Sequence, residues 1–285
     1  MNRILVTGSN GQLGSEIRNQ FKDFKSKFFY LDKDELDILN FKLVKSFVNS
    51  NKINIILNCA AYTEVDLAEN NIECAYKVNY EAVKNFVDIC NNNGCKLIQI
   101  STDFVFNKGY DSPINEEQKT SPISVYAKSK EKAEKLILNS NIDCVIIRTS
   151  WLYSKFGNNF VKTIIRVANE KQSINVVNNQ FGSPTYAKDL AKVCVIFLKT
   201  EAINIKGINL YHFTNKGVCS WYDFAKEIVF LLKIKCNVSA VLSNEYKTLA
   251  TRPSYSKLNT SKIEKKLKIN INHWKESLNN CLIEL

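Results

Sequence analysis

The sequence predicts an α/β fold: a Rossmann-type doubly wound parallel sheet followed by a smaller C-terminal region. Three observations carry this. Short apolar runs alternate with amphipathic stretches through residues 1–150, the first run ends in a glycine-rich turn, and polar residues collect at the ends of the runs. Such alternation implies right-handed crossovers and a sheet covered on both faces, with ligands beyond the carboxyl ends of its strands.

The elements follow in order. Arg3–Thr7 (RILVT) reads as a buried strand, then comes the turn Gly8-Ser9-Asn10-Gly11-Gln12-Leu13-Gly14 and a helix from Ser15 to Phe21. In a turn of this kind the first glycine permits the sharp bend, the second lets backbone approach a pyrophosphate, and the third lets the helix pack on the strand. The N–H groups of Gly11 to Leu13, at the positive end of the helix, would face the phosphates. Further strands are expected at Phe28–Leu31, Ile53–Asn58, Lys96–Ser101 and Cys144–Arg148, with helices near Leu43–Asn49, Ala75–Asn92 and Val125–Asn139. After Arg148 the rhythm loosens, with helices near Asn159–Asn169, Tyr186–Leu198, Ser220–Leu232 and Trp274–Leu285; Ser220 and Asp223 resemble a capping start. The chain therefore divides into a dinucleotide-binding domain, 1–150, and a second region, 151–285, some of whose elements return to the sheet.

Tyr126 and Lys130 stand one helical turn apart. Residues at i and i+4 share a face, so the Lys130 ammonium is expected to stabilise the Tyr126 phenolate and bring its pKa down from about 10. The phenol then suits a general acid. A bare Tyr-x-x-x-Lys is most often a surface aromatic beside a solvated charge; the glycine turn upstream gives this one its weight.

Composition excludes other classes. The chain has 285 residues, enough for a substantial core, and no apolar run approaches the ~18 residues of a membrane span. The N-terminus enters a strand without a signal-peptide layout, so a cytoplasmic protein is expected. Nine cysteines, odd in number and without a C-x-x-C pair, read as reduced core residues, among them Cys59, Cys90, Cys144 and Cys194. The two histidines, His212 and His273, lie apart from other ligand types, against a histidine metal site or triad. The formal charge of +11 is mostly lysine spread along the chain, without the clusters nucleic acid needs. No nucleic-acid or membrane partner is expected. Asp32, closing the second strand, suits the ribose diol of NADH and repels a 2′-phosphate, although Lys33 beside it offers that phosphate a cation. The cofactor expected is NADH or NADPH, with NADH slightly preferred.

Several strings resemble one known group: GSNGQLG at Gly8–Gly14, LDI at Leu36–Ile38, NCAAYTEVDLAE at Asn58–Glu69, STDFVF at Ser101–Phe106, YAKSK at Tyr126–Lys130, RTSWLY at Arg148–Tyr153 and NQFGSPTY at Asn179–Tyr186. YxxxK alone is similar to the whole short-chain dehydrogenase/reductase superfamily. The strings together resemble its extended branch, and within it the dTDP-4-dehydrorhamnose reductase group. That resemblance implies NAD(P)H-dependent reduction of the 4-keto group of dTDP-4-dehydro-L-rhamnose, with residues 151–285 mainly binding the substrate. It implies Thr102, Tyr126 and Lys130 as catalytic residues: Thr102 on the sugar ketone, Tyr126 as proton donor, and Lys130 on the nicotinamide ribose. For the cofactor it implies Gly8, Asn10, Gly11, Gln12, Leu13 and Gly14 at the pyrophosphate, Asp32, Asp37 and Ile38 toward the adenosine, and Ala60, Ala61, Tyr62, Thr63 and Asn79 at the third strand end. For the sugar nucleotide it implies Val65, Asp66, Thr102, Asp103, Phe104, Tyr126, Trp151, Asn159, Phe160, Gln180 and Phe181.

Some members of the group are homodimers that bind magnesium through glutamates near the first helix and just after the PT of the QFGSPT string. Glu16 matches the first, but the second position is Lys188, whose ammonium cannot ligate a cation. No metal is expected there. Four alternatives stay open: a reductase of another nucleotide-linked 4-keto sugar, a nucleotide-sugar epimerase, a dehydratase, and a non-enzymatic regulatory subunit of the same fold. A dehydratase needs an acid pair after the threonine, yet Thr102-Asp103 is followed by Phe104. A subunit that only binds has no use for a tuned phenol.

Overall fold

Both faces of the first strand are buried: Ile4 and Val6 pack into one apolar cluster and Leu5 into another. A strand of this kind belongs inside a parallel sheet. A computed structural model describes residues 2–20, 26–107, 109–199 and 206–285 and contains that sheet. Its first five strands are β1 (Arg3–Thr7), β2 (Lys27–Leu31), β3 (Ile55–Asn58), β4 (Lys96–Thr102) and β5 (Cys144–Thr149). Each lies within two residues of its expected limits. Three short pairs belong to the second half: β6 (Leu152–Tyr153) with β9 (Thr185–Tyr186), β7 (Ser173–Val177) with β12 (Asn237–Val241), and β8 (Phe181–Gly182) with β11 (Cys219–Ser220). The sixth strand of the large sheet, β10 (Ile208–His212), also comes from the second half. The order is β10-β5-β4-β3-β1-β2, with every pairing parallel. The winding changes direction between β1 and β3, which opens a crevice at their carboxyl ends.

Helices α1 (Gln12–Gln20) and α8 (Ala187–Lys199) cover one face, the second donated by the C-terminal half and packed against the first. Helices α2 (Phe41–Ser50), α5 (Ala82–Asn93) and α6 (Val125–Leu138) cover the other, burying Val44, Phe86, Cys90 and Ile137 against Leu5, Ile56 and Ile146. A third cluster unites α7 (Phe160–Glu170), α9 (Trp221–Leu231) and α11 (Trp274–Ile283) around Phe224, Tyr153 and Trp274. Two short helices, α3 (Val65–Asn70) and α4 (Ile72–Tyr76), follow β3, and α10 (Ser261–Leu267) precedes the C-terminus. The expected end of the first helix at Phe21 lies outside the described residues.

One expected helix is divided. In place of a continuous helix from Ala75 to Asn92, Lys77–Glu81 forms a π turn between α4 and α5. The turn directs Asn79 inward, where its amide bonds both backbone groups of Tyr62. Such bulges concentrate at functional sites.

A buried ion pair fixes α6 to the sheet. Arg148 on β5 donates from Nε to Glu134 Oε1 at 2.9 Å and from Nη2 to Oε2 at 2.6 Å, with both side chains 3% exposed. Arg148 Nη1 also lies 3.3 Å from His212 Nε2, and His212 Nδ1 lies 3.1 Å from the Ile114 carbonyl. Burial, reinforced by the Arg148 charge, pushes His212 down to about 3, so the neutral ring donates from Nδ1 and accepts at Nε2. Removing one partner of a buried pair strands the other charge. Glu134→Ala is therefore expected to lower unfolding free energy by about 3–5 kcal/mol in urea titrations. A loss below about 1 kcal/mol would mean that Arg148 finds another partner.

Candidate active site

The glycine turn and the end of β3 meet at the crevice. Gly8 has φ +62°, and a side chain there would come within 2.7 Å of the Ala60 backbone; at Gly14 it would come within 2.5 Å of the Gly8 carbonyl oxygen. Only glycine allows strand, turn and helix to approach this closely. Because α1 begins at Gln12, its first N–H groups have no intrahelical acceptor and face the crevice mouth with the helix's positive end. This cradle fits the pyrophosphate of a dinucleotide. Gln12 is itself held, its Oε1 accepting from Asn159 Nδ2 at 3.0 Å. At the end of β2, Asp32 accepts from the N–H of Asn10 at 2.9 Å and from that of Lys33 at 2.7 Å. Asp37 lies in the loop that follows, accepting from the Leu39 N–H, while the Ile38 carbonyl accepts from Asn85 and its side chain packs on the core.

At the carboxyl end of β4 stands Thr102, whose Oγ1 accepts from the Phe104 N–H at 3.2 Å and bonds Asp103 Oδ1 at 3.2 Å. The α6 N-terminus faces it. Ser124 caps this helix through the Ala127 N–H, and Glu69 of α3 accepts from the Val125 N–H at 2.8 Å. Tyr126 is half-buried, its ring edge-on to Phe104 at 5.8 Å, and a side-chain hydrogen bond joins it to Thr102. Lys130, buried one turn on, donates from Nζ to the Ile100 carbonyl at 2.8 Å. The sequence-expected trio is thus brought together, and Asn79 ties it to the β3 edge: its amide reaches Ser129 Oγ at 3.0 Å, which bonds the Tyr126 carbonyl at 2.8 Å. Ser129 and Ser124 were not singled out from sequence, although a serine just before an amphipathic run is a cap signal.

Burial dominates the electrostatics, and here the sequence expectation needs correcting. Desolvation pushes the Tyr126 phenol up to about 12, with the Thr102 bond pulling the other way and Asp103 adding to the rise. Lys130, expected to lower it, is itself pushed down to about 8 by burial, against the attraction of Glu134. Asp103 is pushed up to about 7 by burial, with the neighbouring Ser256 and Thr102 hydroxyls opposing.

The sugar-side candidates split. Asp66 on α3 is spanned by Arg252, Nη2 to Oδ2 at 2.6 Å, and accepts from the Ala250 N–H at 3.0 Å; the Arg252 bond holds its carboxyl below the usual range. Val65 opens the same helix. Trp151, at φ +48°, stacks on Trp221 at 3.5 Å, and Phe160 tilts against Trp221 at 4.6 Å. A side chain at Gly182 would meet the Trp151 ring at 2.8 Å. Asn159 is spent on the fold, capping α7 and bonding Gln12 and the Ser154 carbonyl. Phe181 is 40% exposed, and its backbone is bracketed by Ser254 and Ser256. Gln180, half-buried, directly precedes it. Arg252, Ser256 and Trp221 carry no local motif that marks them in the sequence.

At the expected metal position, Glu16 is buried and accepts from Ser154 Oγ at 2.6 Å, while Lys188 and Lys155 both pair with Glu284. Among the described residues no cluster of three or more His, Cys, Asp or Glu side chains is arranged to hold a metal, and no helix is long and apolar enough to cross a membrane. The folded chain keeps a proton on Asp103 that the unfolded chain releases near pH 3.8. Stability carried by this group is therefore full below that pH and declines as pH rises through about 7. Unfolding free energies measured from pH 4 to 8 are expected to lose part of this decline in Asp103→Asn; an unchanged profile would exclude a buried proton there.

Comparison with known proteins agrees with this architecture. The family model described as the RmlD substrate binding domain matches residues 1–285. A dTDP-4-dehydrorhamnose reductase from Aggregatibacter actinomycetemcomitans is 37% identical over 98% of each chain. A crystal structure of a dTDP-4-dehydrorhamnose reductase from Clostridium acetobutylicum superposes with a TM-score of 0.93 at 38% identity, covering 99% of this chain and all of that one. The Bacillus anthracis dTDP-4-dehydrorhamnose reductase, solved in complex with NADP, gives 0.93 at 36% identity with both chains fully covered. On this evidence the chain belongs to the RmlD family, the dTDP-4-dehydrorhamnose reductases.

Proposed function

We propose that the protein reduces the 4-keto group of dTDP-4-dehydro-L-rhamnose to dTDP-L-rhamnose, a step of nucleotide-sugar and cell-surface polysaccharide synthesis, using NADH or NADPH with NADH slightly preferred. The observation that carries the reading is the convergence of Thr102, Tyr126 and Lys130 beside the glycine cradle, in a chain of this family. Residues 1–150 hold the dinucleotide and 151–285 mainly the sugar nucleotide. The cofactor, when bound, supplies the hydride to carbon 4. Everything else falls to the chain. Thr102 Oγ1 donates to the ketone oxygen and fixes its direction; Tyr126, already sharing a bond with Thr102, gives its proton to that oxygen as charge develops. The ketone is thereby reduced, NAD(P)H is oxidised, and the phenol regains its proton from solvent.

Lys130 keeps one N–H on the Ile100 carbonyl, which leaves two donors for the nicotinamide ribose and the phenol. At neutral pH, below its value of about 8, the group is mostly cationic. Asp103, Trp151 and Phe181 border the sugar nucleotide, as does Asp66, which Arg252 holds. No metal is expected to take part, because Lys188 stands where a second glutamate is needed and an ammonium cannot ligate a cation. A homodimer is the assembly in keeping with the family.

Turnover of enzymatically prepared dTDP-4-dehydro-L-rhamnose, followed by absorbance loss of NADH and NADPH in parallel, tests the activity. Tyr126→Phe is expected to cut turnover by about a hundredfold or more, and unchanged turnover would remove the phenol from the mechanism. The same assay after exhaustive chelation is expected to keep its rate. Loss of activity that magnesium restores would return a metal to the account.

A further inference from the structure

We propose that Arg18 receives the 2′-phosphate of NADPH and so decides whether the phosphorylated dinucleotide is accepted; the proposal rests on the dinucleotide reading above. Arg18 lies in the last turn of α1, and its Nη2 donates to the buried Ser9 Oγ at 2.9 Å and reaches Asn10 Oδ1 at 3.5 Å. Its guanidinium carbon stands 5.0 Å from the centre of the Tyr30 ring, two residues before Asp32 on the adjacent strand. The cation is thus anchored on an aromatic face and on the side chains of the glycine turn. Asn10 joins it to Asp32, since the Asn10 N–H donates to Asp32 Oδ2 while its amide oxygen faces Arg18.

This is the corner where dinucleotide folds read the adenosine ribose. A carboxylate closing the second strand bonds the 2′-hydroxyl, and an arginine nearby accommodates a 2′-phosphate. Asp32 alone would repel that phosphate, but two backbone N–H bonds draw on its charge. Arg18 is exposed, and among the described residues no carboxylate forms an ion pair with it. A guanidinium has five N–H donors in a rigid fork matched to phosphate, and the two contacts to Ser9 and Asn10 leave most of them free. Lys33, the other cation at this corner, is an exposed point charge on a flexible stem with only its backbone N–H engaged by Asp32.

Full-length wild type, Arg18→Ala, Arg18→Lys and Lys33→Ala are titrated with NADPH and NADH by fluorescence of the reduced nicotinamide. Competition by 2′,5′-ADP against 5′-ADP is measured in parallel. Arg18→Ala is expected to weaken NADPH and 2′,5′-ADP by about tenfold or more while changing NADH and 5′-ADP by less than about threefold. Arg18→Lys is expected to recover part of the loss, and Lys33→Ala to leave the discrimination unchanged. Equal weakening of both dinucleotides would make Arg18 a support for the glycine turn and overturn the proposal, as would a loss carried by Lys33→Ala. Wild-type protein that binds neither dinucleotide would sink the cofactor reading itself, and the Arg18 assignment with it.

Discussion

The buried Arg148–Glu134 pair is the constraint on which the site depends. Tyr126, Lys130 and Glu134 follow one another at four-residue intervals along a single stripe of α6, so fixing the third fixes the register of the other two. The pair is anchored on β5, in the same sheet whose neighbouring strand ends in Thr102, so helix and hydroxyl share one frame. Its specificity comes from cost: a charge taken out of water tolerates only the geometry that satisfies it. His212 extends the frame to the Ile114 loop, and Ile114 in turn pairs with the backbone around Leu258. A C-terminal segment is thereby tied to α6 through Arg148, His212 and Ile114, with no shared sequence motif.

The crevice rests on a second constraint, the contact distances at Gly8 and Gly14. These two positions let the turn between β1 and α1 lie directly on the end of β3, bringing the Ala60–Thr63 backbone beside the glycine cradle. The π turn works at the same edge. By spending Asn79 on both backbone groups of Tyr62 and on Ser129, it links the cofactor edge to α6 within a few ångströms. Both amide hydrogens of Asn79 are engaged, on the Tyr62 carbonyl and Ser129, while its amide oxygen, holding the Tyr62 N–H, keeps one acceptor site.

Much of this frame was legible in the sequence because it is local. Strand limits follow from short continuous apolar runs, and the Gly8–Gly14 turn and the Tyr126–Lys130 spacing each lie within one stretch of sequence. What was not legible arises between elements. Arg252 meets Asp66 across 186 positions, and Trp221 stacks on Trp151 across 70. The π turn escaped notice because its period differs from the helical one by a single residue. The electrostatic expectation failed for a different reason. Spacing tells that Lys130 and Tyr126 share a stripe, but burial is a property of everything packed around them, and here it is the largest influence on both groups.

That outcome suits a reductase better than the lowered phenol did. A donor must carry its proton when the ketone arrives, and a phenol near 12 is protonated throughout the physiological range, whereas one tuned to neutrality would be half-spent. The oxygen formed by hydride addition is an alkoxide, more basic than a phenolate. Transfer from the phenol to it is therefore downhill. The low-dielectric pocket that raises Tyr126 would also strengthen a Thr102 bond to the developing charge in the mechanism proposed. In the oxidative direction the same value works against the chemistry, because the phenol would have to surrender its proton before taking another. Burial of one hydroxyl thus keeps the proton donor loaded when the ketone arrives.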